Sequence, residues 1–105
     1  MSDKYILDEV GNAVAEPDLM KWARWFEKKE RHLADDRIGD VRVSTIFLGI
    51  DHRFGDDGPP MLWETMIFGG PHNEYQERYS TKAEAEAGHR VAVALAGTMV
   101  DPSDA

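Results

Sequence analysis

Cysteine is absent from all 105 positions, so neither a disulfide framework nor thiol chemistry is open to this chain. Long apolar runs are missing as well, and none approaches the roughly 18 residues that a membrane-spanning helix needs. Met1-Ser2-Asp3-Lys4 is not a basic stretch leading into an apolar one, so nothing suggests export and cytoplasmic folding is the expectation. Basic charge is in deficit: twelve Lys and Arg stand against twenty Asp and Glu, a net of −8 at pH 7. The averaged field of such a chain repels phosphate backbones, so direct nucleic-acid binding is not expected, whereas approach to a basic protein surface is favoured. The acidic residues are scattered, with short clusters at Asp35-Asp36, Asp56-Asp57 and Glu84/Glu86, and form no dense phosphate-mimicking strip.

Motifs that specify a chemistry are also missing. No HxH or HExxH spacing, GxGxxG or Walker loop occurs. The aspartates of Asp51 to Asp57 do not complete a calcium-loop pattern. Ser44 and Thr45 fall inside a predicted strand, and Ser80 and Thr81 at a predicted helix start, so no hydroxyl sits on a nucleophile elbow. Catalytic residues, metal ligands and cofactors are therefore not assigned.

What is present reads as one small α+β domain spanning 1–105, ordered over about 4–97, with a two-layer antiparallel sheet of four to five strands and two helices on it. The expected order is β-α-β-β-β-β-α. Tyr5-Ile6-Leu7 is a short edge strand. Pro17 suits a first helical turn, and Leu19, Trp22, Ala23 and Phe26 recur at helical spacing, predicting a helix from Pro17 to Glu30. Ile38-Gly39-Asp40-Val41 is a hairpin turn. The runs VRVSTIFLGID and MLWETMIFGG are strands, with Tyr75 to Tyr79 as a last one. Thr81-Lys82-Ala83-Glu84 is a capping box, opening a helix whose small stripe is Gly88, Val91, Ala92 and Leu95 and whose end is Gly97. His89 falls at the apolar edge of that helix, where a packed role is expected.

A symmetric loop between the two long strands sets Leu62, Glu64, Met66 and Phe68 beside Val41, Val43, Thr45 and Phe47. Both faces then carry large apolar residues, and a homodimer is expected to cover what two helices leave open. Glu64 lands on an apolar face and needs a partner, with Arg42, Arg53, a histidine or water at an open sheet edge as the options. The connecting segment HRFGDDGPP, rich in charge, glycine and proline, is the expected working surface together with the turn Gly69 to Asn73. The binding residues it implies are Asp51, His52, Arg53, Phe54, Asp56, Asp57, His72 and Asn73. If the strands bring Asp51, His52, Glu64 and His72 together, a divalent metal or acid–base chemistry becomes an alternative, which makes a small metal-dependent enzyme a second reading.

Three blocks, VSTIFLGIDHRFG, PPMLWETMIFGG and ERYSTKAEAEAGH, resemble a group of small proteins encoded by bacteriophages and prophages, over roughly Tyr5 to Val93. The resemblance implies a phage context and transfers no catalytic residue. With the charge, it points to a non-enzymatic accessory protein that binds a host or phage protein, with inhibition of a bacterial defence system as one setting. A phage structural or assembly component and a purely self-associating scaffold are the further alternatives.

Overall fold

The computed structural model describes residues 3–52 and 58–97. They form an α+β fold in the order β1 (Tyr5–Leu7), β2 (Ala13–Ala15), α1 (Leu19–Lys28), β3 (His32–Ile38), β4 (Val41–Phe47), β5 (Trp63–Phe68), β6 (Gln76–Tyr79) and α2 (Lys82–Ala96). The expected order is present with one strand added. Ala13-Val14-Ala15 is too short to read as a strand alone and is held by pairing with Tyr5, Ile6 and Leu7. Asp8 closes the ribbon, its Oδ1 accepting from the N–H groups of Val10 and Asn12 at 3.0 and 2.9 Å.

Helix α1 starts at Leu19, not at Pro17, because Asp18 is its N-cap. Asp18 Oδ1 accepts from the N–H groups of Met20 and Lys21 at 2.9 and 3.1 Å, satisfying donors the helix cannot. The helix ends before Glu30, whose carboxylate accepts the His32 N–H at 2.9 Å where β3 begins. Contrary to expectation, α1 lies against β1 and not across the larger sheet. Its aromatics reach the end of β4: the Trp25 ring meets Phe47 edge-on at 5.7 Å, and Trp22 Nε1 donates to Gly49 O at 2.9 Å. Gly49 has φ +76°, and a β-carbon there would stand 3.1 Å from the Phe26 ring. With no sheet beneath it, Leu19 stays 57% exposed.

Strands β3 to β6 form an antiparallel meander in sequence order. The register pairs Val43 with Ile67, Thr45 with Thr65 and Phe47 with Trp63. This corrects the expected pairing by one residue, and in a strand one residue moves every side chain to the opposite face. Helix α2 covers the face carrying these six side chains. The opposite face, with Arg42, Ser44, Ile46, Glu64, Met66 and Phe68, has no helix across it.

The capping box of α2 forms as expected: Thr81 Oγ1 accepts from the Glu84 N–H at 3.1 Å and Glu84 Oε1 from the Thr81 N–H at 3.2 Å. The buried stripe is Ala85, His89, Ala92 and Ala96, rotated from the expected one, and Val91 is 60% exposed. Alanines on that stripe let the helix approach the sheet closely, while His89 meets polar partners there. The core consequently falls into two apolar clusters. Val43, Ile67, Ala92 and Ala96 form one; Phe47, Leu62, Trp63 and Ala85 form the other, joined by Trp25 and Leu7. Each large side chain buried in them contributes about 1.5–3 kcal/mol. Between them along β4 and β5 lies the Thr45–Thr65 pair. Among the described residues no helix is long and apolar enough to cross a membrane.

Candidate functional site

Of the residues expected to form a contact surface, the described ones, Asp51, His52, His72 and Asn73, take part in closing their own turns. Asp51 Oδ1 accepts the Met61 N–H at 2.9 Å, and the His52 imidazole donates through Nδ1 to Ile50 O at 2.7 Å, so both close the segment between β4 and β5. Arg53, Phe54, Asp56 and Asp57 lie outside the described residues. Asn73 Oδ1 accepts the Gly69 N–H at 2.8 Å and the His72 carbonyl accepts the Tyr75 N–H at 3.0 Å, building the turn after β5. Strand β5 separates the two segments, and its six residues span about 20 Å at roughly 3.3 Å each. Asp51 and His52 therefore do not converge with His72. Glu64 points elsewhere, and among the described residues no group of three His, Asp or Glu could hold a metal ion.

A buried polar chain was not legible in sequence. Thr65 and Thr45 hydroxyls lie 2.5 Å apart, Thr45 Oγ1 is 2.7 Å from His89 Nδ1, and His89 Nε2 is 2.7 Å from Asp36 Oδ2. Asp36 accepts only from an N–H, so Nε2 carries the proton in neutral His89 and Thr45 donates to Nδ1. The composition is that of an acid–histidine–hydroxyl triad, but both threonines are fully buried, so neither hydroxyl can meet a substrate. Its role is to satisfy polar groups between the two apolar clusters. Tyr79 extends the chain incompletely: its buried hydroxyl has no hydrogen-bond partner, although Thr65 stands near enough to affect it. Burial raises the phenol pKa, and Thr65 opposes this in part.

The helix-free face is the surface on which exposed chemistry concentrates. Glu64, only 8% exposed, is held by its β6 neighbours: Arg78 Nε donates to Oε2 at 2.8 Å and Gln76 Nε2 at 2.6 Å. The partner it required is thus Arg78, supplied by register, and not Arg42. Arg42 instead grips Asp35, Nε to Oδ1 at 3.0 Å and Nη2 to Oδ2 at 2.8 Å. That hydrogen bond, with the nearby charges of Arg42, His32 and Arg37, holds the Asp35 carboxyl below its ordinary range. Phe68 lies opposite Arg42 in the register and is 43% exposed. The end of α1 walls one side, giving a groove of about 460 Å³ lined by Phe26, Arg31, Arg42, Ser44, Ile46 and Phe68, with Glu27, Lys29, Glu30 and His32 at its α1 side. Arg31 stacks on Phe26 at 4.0 Å while donating to Phe47 O at 3.0 Å.

One pairing on this face runs against stability. Arg37 lies directly opposite Arg42 in the β3–β4 ladder, with Asp35 as the carboxylate beside them. Like charges directly opposite each other cost a few tenths to about 1 kcal/mol. The signal for it is local, because the two-residue turn at Gly39-Asp40 fixes Ile38 opposite Val41 and then Arg37 opposite Arg42. Compared with protein-family models, curated proteins and solved structures, the chain matches none.

Proposed function

We propose that the chain is a non-enzymatic bacteriophage accessory protein that binds a host or phage protein, and that the helix-free face of the four-stranded sheet is its contact surface. The phage context rests on the resemblance of the three sequence blocks, and inhibition of a bacterial defence component is the setting that fits it. One observation carries the choice of surface. An aromatic ring, the half-buried Ile46 and Met66, and a set of arginines stand on the sheet face that no helix covers. A rigid sheet holding aromatic and arginine side chains at its surface is well suited to recognition, since such residues dominate binding energy where they are desolvated. Asp51 and His52, by contrast, are engaged in closing their own loop.

Affinity capture from phage-infected bacteria, read by mass spectrometry, tests this with three proteins. The wild type and a variant with His52, Arg53 and Phe54 all replaced by Ala should capture the same partner. Phe68→Ser combined with Ile46→Thr should lose it while still unfolding cooperatively in urea. Loss in the loop variant alone moves the contact surface to the 51–60 loop. Turnover or metal-dependent stabilisation abolished by His52→Ala would replace the binding reading with the enzymatic one.

A further inference from the structure

Building on the reading of the helix-free face as protein-binding, we infer that its partner segment is acidic and carries an apolar anchor, with a carboxylate placed between Arg37 and Arg42. The charge count on this face supports the carboxylate. Arg37 and Arg42 are cross-strand neighbours sharing Asp35, so the site holds one cation more than it can neutralise internally. The face as a whole presents Arg37, Arg42 and Arg78 against Asp35 and Glu64, and the end of α1 that walls the groove adds Lys29 and Arg31 against Glu27 and Glu30, which leaves the excess of one cation standing on a chain whose net charge is −8. An excess of cations in a field otherwise negative is a local conflict of the kind found at binding sites.

An incoming carboxylate resolves it by accepting from the second guanidinium, and arginine suits that geometry. Beside it, Phe68, Ile46 and Phe26 in the groove offer apolar contact for one large side chain. A nucleic acid satisfies the arginines less well, because a polyphosphate must approach through the repulsive field of the rest of the chain. A face-to-face contact with a second copy sets arginine-rich surfaces against each other and adds to the conflict.

The test uses isotope-labelled protein and backbone amide shifts, with three probes: a short blocked peptide alternating glutamate with leucine and phenylalanine, the same peptide with lysine for glutamate, and single-stranded oligothymidylate. The acidic peptide should shift Arg37, Arg42, Ile46 and Phe68, and Arg37→Glu should weaken it at least tenfold. The same substitution should raise the melting temperature, since it removes the like-charge pair, and a merely structural arginine would lower it. Arg37→Gln should weaken binding less. Binding of the lysine peptide in place of the acidic one overturns the charge assignment while leaving the face protein-binding. Shifts from oligothymidylate alone overturn both. Absence of shifts with the acidic peptide at millimolar concentration, or a doubled mass by light scattering with this face protected, overturns the acidic partner.

Discussion

His89 Nε2 lies 2.7 Å from Asp36 Oδ2, tying the middle of α2 to the edge strand β3 across 53 positions of sequence. His89 is 5% exposed, whereas the Asp36 side chain is 56% exposed, so the two ends of this bond differ in what their loss costs. His89→Ala should destabilise by about 3 kcal/mol, combining a cavity with unpartnered threonine hydroxyls. Asp36→Ala should cost about 1 kcal/mol, because solvent replaces it. Equal losses in urea unfolding would show that the buried chain does not depend on the imidazole.

Tyr79 gives the alkaline limb of stability. Its pKa is raised by burial above the ordinary phenol value, so the fold favours the protonated ring. Stability from this source is complete below about pH 10 and is lost as pH rises through the raised value. Tyr79→Phe should flatten that limb. It should also stabilise by about 1 kcal/mol at neutral pH, because it removes an unsatisfied buried hydroxyl. A pH–stability profile unchanged by the substitution contradicts the assignment.

Gly88 is required by Tyr79. A β-carbon at Gly88 would overlap the Tyr79 hydroxyl and two ring carbons. Gly88→Ala, ordinarily favourable in a helix, should instead destabilise by about 2 kcal/mol through overpacking. Adding Tyr79→Phe should not restore the loss, since the ring carbons remain in place. Full rescue in the double variant would locate the clash at the hydroxyl alone.

Arg78 holds a nearly buried carboxylate. Arg78→Met leaves Glu64 with Gln76 as its side-chain donor and should cost about 1–2 kcal/mol, discounted because Arg78 is itself partly exposed. Glu64→Gln in the same background should recover part of this by removing the charge. If the single and double variants melt together, the pair contributes nothing to stability.

The sequence by itself determined the local elements. Turn chemistry at Gly39-Asp40, the Thr81/Glu84 capping box and the Gly97 stop each act within a few residues and formed where expected, while the two β-branched runs formed strands shortened to Val41–Phe47 and Trp63–Phe68. The same locality fixed Arg37 opposite Arg42. What only the tertiary structure decided is phase. The register across the long β4–β5 connection turns on a single residue and sets Thr45 opposite Thr65 on one face, while the β5–β6 register sets Glu64 opposite Arg78 on the other. It also sets the rotation of α2, because His89 follows its polar partners while the exposed Val91 shows that hydropathy alone did not choose the stripe. Strand and helix periodicities repeat along the chain without an origin. Contacts between residues far apart supply that origin, and with it the face left open for binding.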